Sequence, residues 1–195
     1  YRRLRDRERQ AAALTTELQE LESQYVAMKD NPFNYFCRLL LSGTTKRFLH
    51  CESTGDMVTW DVGNLFEFIP YLGGYCIKPI GENRYILPGS NGRVVLSPND
   101  FKWPWQVARS GNSCTIKHPI YGFFHAQGGT NKIVMYKDAH NWELQPVEEV
   151  GGKVTAAKNA RDAKKTELTA AEKRLAALKK LLDPTAPKRA DLEKE

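Results

Sequence analysis

The apolar residues at the two ends of the chain recur at steps of three and four positions, which is the spacing of a heptad seam. In the N-terminal segment the seam consists of Leu4, Ala11, Leu14, Leu18, Leu21, Tyr25 and Met28. In the C-terminal segment it consists of Val154, Ala157, Leu168, Ala171, Leu175, Leu178 and Leu182, with Arg161 and Lys164 at two seam positions. The pattern predicts two long amphipathic helices. Pro32 stops the first, and the sequence DPTAP from Asp183 closes the second.

The two predicted helices have nearly the same length, about 30 residues or about 45 Å. Matched lengths favour an antiparallel two-helix coiled-coil hairpin, in which Tyr25 and Met28 lie near Val154 and Leu14 lies opposite the region of Leu168. Two alternatives stay open at this point. In the first, each helix packs separately on the middle domain. In the second, two chains pair through a parallel helix bundle and form a homo-oligomer.

The middle of the chain, residues 33–147, has no helical period. Gly, Asn and Pro separate short apolar or alternating runs about every 8–12 residues, which is an all-β pattern. Two sets of aromatic residues repeat in it: Phe48, Tyr85 and Phe123 at separations of 37 and 38 residues, and Phe66, Trp105 and Trp142 at 39 and 37. The segments YFCRLL, YCIKPI and CTIKHP open the three units. We therefore expect three repeats of four strands each, with Phe66, Trp105 and Trp142 in the core.

The repeated glycine-turn hairpins and aromatic closing strands resemble a β-trefoil, nearest in texture to the fascin-like group, over roughly residues 34–149. The resemblance implies a barrel whose first and last strands pair, with three hairpins capping one end. Ricin-like trefoils bind sugars through a Gln-x-Trp triplet, whereas this chain has Trp105-Gln106-Val107 and Trp142-Glu143-Leu144 in the matching strands, which disfavours that kind of lectin. Fascin-like trefoils bundle actin, but no residue here matches an actin-contact motif.

The expected fold class is α+β, an all-β threefold β-trefoil domain carried on an antiparallel two-helix coiled-coil hairpin. The expected boundaries are an N-terminal coiled-coil helix at 1–30, the trefoil at 31–149, a C-terminal coiled-coil helix at 150–183, and a linker or the start of a further helix at 184–195. The chain opens with Tyr1 in a helical pattern, so we expect it to be part of a longer coiled-coil protein.

The formal net charge of +6 is confined to the predicted helical segments. Residues 30–149 carry 11 basic and 11 acidic side chains, whereas residues 150–195 carry 12 basic and 7 acidic ones. A neutral middle domain lacks the electrostatic footprint of a nucleic-acid binder, which disfavours nucleic acid as a partner. No apolar run is long enough to predict a membrane span.

The sequence offers few candidates for metal-binding, catalytic or cofactor-binding residues. Cys37, Cys76 and Cys114 lie 39 and 38 residues apart, but strand parity places Cys76 opposite Thr115 rather than Cys114, which argues against a threefold metal cage. We interpret the four cysteines as reduced core thiols and expect a cytoplasmic protein. The sequence contains no nucleophile elbow, phosphate-binding loop or dinucleotide fingerprint. We therefore expect no enzyme activity, no metal and no cofactor.

The remaining hypothesis is an interaction module. The trefoil, the coiled coil or both bind a protein partner or a filament, in the cytoplasm and with association to the cytoskeleton as one option. The alternative is a carbohydrate- or lipid-headgroup-binding trefoil. The predicted partner-binding residues are those that the repeats do not share, on loops rich in Pro and Gly: Phe101, Lys102, Trp103 and Tyr71. A structural alternative is that Phe101 and Trp103 plug the open end of the barrel.

Overall fold

The computed structural model describes residues 1–185. The chain forms two compact units. The helical unit combines Tyr1–Asp30 with the residues from Gly152 onward, and the β unit spans Asn31–Gly151. Two helices together with an antiparallel sheet confirm the α+β class. The prediction for residues 184–195 falls almost wholly outside the described residues.

The β unit contains twelve strands and two short 3₁₀ helices, at Pro32–Asn34 and Ser90–Gly92. The strands are β1 (Tyr35–Leu41), β2 (Phe48–Cys51), β3 (Met57–Trp60), β4 (Phe66–Tyr71), β5 (Gly74–Pro79), β6 (Ile86–Pro88), β7 (Val94–Leu96), β8 (Gln106–Ser110), β9 (Ser113–His118), β10 (Gly122–Ala126), β11 (Ile133–Tyr136) and β12 (Trp142–Glu149). The strands β1, β5 and β9 begin 39 residues apart, so each repeat contributes four strands.

Six of the strands are linked into a ring by antiparallel pairing. β1 pairs with both β4 and β12, β4 pairs with β5, and β9 pairs with both β8 and β12. β5 and β8 are joined by Tyr75 and Trp105, whose backbone N–H groups each donate to the other's carbonyl oxygen at 2.9 Å. The pairing of the first strand with the last, over Tyr35 to Leu41, ties the two ends of the unit together.

The other six strands form three hairpins, β2–β3, β6–β7 and β10–β11. An isolated β-bridge joins each pair of hairpins. These bridges join Asp56 to Val95, Val58 to Lys132 and Arg93 to Val134. An ion pair of 2.9 Å between Arg93 and Asp56 adds to the first contact.

Only one of the two repeated aromatic sets lies fully in the core. Phe66, Trp105 and Trp142 are fully buried, as the sequence predicts. The hairpin aromatics are only half-buried, and the residue after each one enters the core instead, because side chains alternate between the two faces of a strand. These core residues are Leu49, Ile86 and Phe124.

The buried cysteines follow the parity argument. Cys37 and Cys114 belong to the central core cluster, whereas Cys76 is buried outside it. Burial raises the pKa of the Cys37 and Cys114 thiols to about 12, so both stay protonated and behave as small apolar groups. Within residues 1–185 no three His, Cys, Asp or Glu side chains converge in a way that could hold a metal ion.

The helical unit consists of α1 (Arg2–Lys29) and α2 (Lys153–Leu181). Ion pairs join Glu8 to Lys179 at 3.1 Å and Glu17 to Lys164 at 2.8 Å. Residue numbers fall along α2 as they rise along α1, so the two helices run antiparallel. Neither helix is long and apolar enough to cross a membrane, and the described residues contain no other candidate.

The two charged residues in the seam of α2 find partners on α1. The Arg161 guanidinium lies over the Tyr25 ring, 4.5 Å from its centroid. Lys164 pairs with Glu17 and, within α2, with Glu167. Their long stems thus lie along α1 while their charges are matched by a ring face or by carboxylates. The residues of the helical unit that are buried are Leu14, Val154 and Ala171.

Candidate interaction site

Lys102 lies between two tyrosine rings. Its Nζ is 5.6 Å from the ring centroid of Tyr71, at the end of β4, and 5.6 Å from that of Tyr85, just before β6. Such cation–π contacts hold the ammonium against the ring faces. Lys102 makes no ion pair with any described residue, so its charge stays uncompensated. Two of the predicted residues, Lys102 and Tyr71, are therefore brought together.

This contact depends on a close approach between two backbones. Gly74 begins β5 directly against Trp105, and a Cβ at Gly74 would collide with the Trp105 carbonyl oxygen. Only glycine allows the reciprocal backbone hydrogen bonds between Tyr75 and Trp105 at this distance. The β4–β5 turn and the loop before β8 are thereby held side by side.

Leu72, at the tip of the β4–β5 turn, has an unfavourable conformation for its residue type. Its φ is 45°, in the left-handed region that Gly and Asn adopt at low cost and a γ-branched residue does not. Its side chain is 77% exposed, so it gains nothing from burial in this unit. Leu72 is disfavoured both by its backbone and by its exposure.

Phe101 is presented to solvent by a hydrogen-bonded loop. The Asn99 Oδ1 accepts from the Phe101 N–H at 3.1 Å and from the hydroxyl of the buried Ser97 at 2.9 Å. The Phe101 side chain is 66% exposed, so it does not plug the barrel. We refer to the following five residues as the loop patch: Tyr71, Leu72, Tyr85, Phe101 and Lys102.

Trp103 is half-buried and packs against the core. Its ring stacks on His118, with centroids 5.0 Å apart and planes 8° apart, and His118 stacks in turn on Tyr121 at 4.5 Å. The Trp103 Nε1 is buried without a partner among the described residues. Trp103 thus packs against the interior of the β unit, whereas Phe101, two positions earlier, faces solvent.

Two histidines accept backbone hydrogen bonds and have perturbed pKa values. The Nδ1 of His118 accepts from the N–H groups of Ile120 and Tyr121 at 3.0 and 3.1 Å, and the Nδ1 of His140 accepts from Ala126 at 3.0 Å. Burial lowers the pKa of His118, and burial together with His125 lowers the pKa of His140. Each ring is therefore uncharged at neutral pH, and its Nδ1 serves as an acceptor for the backbone.

The loop patch combines apolar, aromatic and cationic side chains. The loop patch contains no nucleophile paired with a base and no pair of carboxylates; it offers two exposed apolar side chains, two phenol rings and one uncompensated cation. The sequence indicates a hairpin role for Tyr85 and gives no sign that its ring lies beside Lys102. The stack of Trp103 on His118 is likewise not indicated by the sequence. A leucine where a tight turn calls for Gly or Asn was the available signal for Leu72.

The chain matches no protein-family model and no curated protein sequence. Among solved structures, the lysenin pore is 16% identical over 58% of this chain and 46% of that chain, with a TM-score of 0.47. A complex of lysenin with phosphocholine is 15% identical over 60% and 45%, with a TM-score of 0.47. The matched region spans less than half of either lysenin chain.

A salivary protein from Culex quinquefasciatus, of the cysteine- and tryptophan-rich family, is also similar. It is 17% identical over 58% of this chain and 94% of that chain, with a TM-score of 0.47. All three similarities have TM-scores below 0.5. None of them assigns a fold family or a ligand to this chain.

Proposed function

We propose that the β unit is a non-enzymatic, protein-binding module that recognises its partner through the loop patch. The observation that carries this proposal is Leu72, which is 77% exposed and held at a φ of 45°. Strain of this kind costs about 1–3 kcal/mol and persists where it serves a function. An apolar side chain that destabilises the free protein gains only when a partner covers it.

The composition of the loop patch favours a protein partner. Leu72 and Phe101 supply apolar area, and Tyr71 and Tyr85 supply rigid rings with a polar hydroxyl, as interface anchors do. Lys102 adds a cation that a carboxylate of the partner would neutralise. Trp103, the fourth residue of the predicted site, contributes by supporting the loop rather than by direct contact.

We propose a β-trefoil for the fold of the β unit. The ring of six strands, the pairing of β1 with β12 and the mutual contacts of the three hairpins support this assignment. For the helices, the proposal is an antiparallel coiled-coil hairpin, supported by the ion pairs of Glu8 and Glu17 and by the buried Leu14 and Ala171. The module would belong to a longer cytoplasmic coiled-coil protein with a scaffolding role.

A peptide selection tests the function. The immobilised chain selects binders from random peptides displayed on phage, and clones that also bind the variant Phe101→Ser are removed. We expect surviving peptides that carry apolar residues next to an acidic one, and that bind Val62→Ser as well as they bind wild type. Val62 is a matched control, because it is 63% exposed and outside the loop patch. The proposal would be contradicted if the surviving peptides bound neither wild type nor Val62→Ser more tightly than background.

A glycan array and a lipid-headgroup array, probed with the same two variants, separate the alternative. If a sugar or a headgroup binds wild type and loses affinity on Phe101→Ser, the loop patch is a carbohydrate or lipid site. The protein-binding proposal would then be replaced.

A further inference from the structure

The net charge of the protein is concentrated at one end of the helical unit. Because α1 and α2 run antiparallel, the first turns of α1 lie beside the last turns of α2, as the ion pair of Glu8 with Lys179 shows. Residues 2–10 and 172–181 together carry nine basic and three acidic side chains, an excess of six. The whole chain has a formal net charge of +6, so the rest of it is neutral.

Most of these cations are uncompensated. Lys179 is paired with Glu8, and the Arg7 guanidinium donates to the Gln10 amide oxygen at 3.0 Å. The remaining basic side chains are exposed and make no ion pair with a described residue: Arg2, Arg3, Arg5, Arg9, Lys173, Arg174 and Lys180. Like charges four residues apart on a helix repel one another, so this cluster destabilises the free helical unit. A polyanion would relieve that repulsion.

An open groove between the two helices lies within this cluster. Arg3 and Arg7 line it from α1, and Arg174 lines it from α2, with Asp6 as the one carboxylate. The other lining residues are Ala177, Leu178 and Leu181. Leu181 is 82% exposed. The groove therefore combines three guanidinium groups with exposed apolar side chains.

We infer that this end of the helical unit, which we call the cationic end, binds the surface of a membrane that contains anionic phospholipids. Guanidinium groups bind lipid phosphates bidentately, and leucines at the same end enter the boundary between headgroups and acyl chains. The exposed leucines decide between lipid and nucleic acid, because a phosphate backbone offers no apolar surface to Leu181. The β unit carries 11 basic and 10 acidic side chains, so its own charge excess is small.

Vesicle co-sedimentation with the full chain tests the inference. Vesicles of phosphatidylcholine alone are compared with vesicles that also contain phosphatidylserine. We expect binding to the anionic vesicles only, and a partition coefficient that falls by about 10- to 100-fold in the variant Arg3→Gln/Arg7→Gln/Arg174→Gln. High salt should also weaken binding of the wild-type chain, because it screens the charges.

A matched variant separates a local site from net charge. Lys46→Gln/Lys132→Gln/Lys137→Gln removes the same number of cations from exposed positions of the β unit, and we expect it to bind as wild type does. Equal losses in both triple variants would overturn the inference, because net charge alone would explain them. Absence of binding to anionic vesicles by wild type would overturn it as well.

Two further variants keep the test decisive. If circular dichroism shows that the arginine triple variant has lost its helices, Arg174→Gln alone replaces it. Leu181→Ser keeps all the charges, and we expect it to bind anionic vesicles severalfold more weakly than wild type. Duplex DNA that binds more tightly than the vesicles, and equally well to Leu181→Ser, would show a nucleic-acid site and overturn the lipid assignment.

Discussion

At the scale of single residues, this protein places an apolar side chain where its own fold would prefer another residue. Leu72 has a left-handed backbone conformation and is exposed. Asn91, the other non-glycine residue at positive φ among residues 1–185, is of a type that adopts this conformation readily. This contrast supports the proposal that Leu72 serves contact with a partner rather than stability.

The variant Leu72→Asn should therefore be more stable than wild type. Asparagine tolerates the left-handed region, so we expect a gain of about 1 kcal/mol in the free energy of unfolding, measured by urea denaturation. Val62→Asn is the control, since Val62 is similarly exposed but is not at positive φ, and it should show no gain. A less stable Leu72→Asn variant would contradict the strain argument.

The buried His118 predicts a loss of stability in acid. Burial holds the pKa of His118 below its ordinary value of 6.5, so the unfolded chain binds a proton more readily than the folded one. The contribution of His118 is complete above about pH 6.5 and is lost as the pH falls towards the lowered pKa. The urea midpoint should fall between about pH 7.5 and about pH 5.

The variant His118→Asn checks the origin of that pH dependence. The asparagine Oδ1 can accept the N–H groups of Ile120 and Tyr121 but does not titrate. We expect a smaller acid shift of the urea midpoint in this variant, with His140 accounting for part of what remains. An unchanged shift would exclude His118 as its source.

At the scale of elements, two equally buried tryptophans should differ in their tolerance of change. The Trp105 Nε1–H donates to the Ile86 carbonyl oxygen at 2.9 Å. The Trp142 Nε1, at the start of β12, is buried and has no hydrogen-bond partner within residues 1–185. Trp105→Phe leaves that carbonyl unsatisfied, so it should destabilise the β unit by about 1–3 kcal/mol more than Trp142→Phe. Urea denaturation measures the difference, and the reverse order would contradict it.

Truncation of Trp142 gives an independent check that this side chain belongs to the core. Trp142→Ala should cost about 3–5 kcal/mol, because it opens a large cavity in the centre of the β unit. A variant that folds with normal stability but loses a ligand would instead make Trp142 part of a binding site.

The direction of the two helices can be tested by engineered disulfides. Leu14 and Ala171 are both buried in the helical unit, and Leu168 lies one turn from Ala171. Under oxidation, Leu14→Cys should close a bridge within one chain with Leu168→Cys or Ala171→Cys, and not with Ala157→Cys. Bridges that form only between chains, seen as a doubled mass, would favour the parallel dimer.

Periodicity was enough to predict the elements but not their contacts. Heptad spacing and Pro32 predict α1 and its end, and the recurrence of Phe66, Trp105 and Trp142 predicts the buried position in each repeat. The half-burial of Phe48, Tyr85 and Phe123 was not predictable, because a shift of one residue exchanges the two faces of a strand. The contact of Tyr71 with Lys102 spans 31 positions and depends on Gly74 lying against Trp105.

At the scale of the whole molecule, the two proposed contacts rest on different interactions. The β unit is nearly neutral, with 11 basic and 10 acidic side chains, and it presents apolar side chains on a strained turn and on a hydrogen-bonded loop, with one uncompensated lysine among them. In the helical unit, the cationic end has an excess of six positive charges. The two proposed contacts are therefore separable, because each depends on side chains that the other does not use.

The loop patch is tested by the affinity of one peptide for matched variants of the full chain, measured by titration calorimetry. The peptide is one selected on the wild-type chain without removing the clones that bind Phe101→Ser. We predict that Phe101→Ser and Leu72→Asn weaken binding at least tenfold, the loss expected for an interface anchor worth more than about 1.4 kcal/mol. Val62→Ser should bind as wild type does, and Leu72→Asn should lose affinity while gaining stability. Equal affinity for wild type, Phe101→Ser and Leu72→Asn would contradict the central claim that the loop patch is the binding surface.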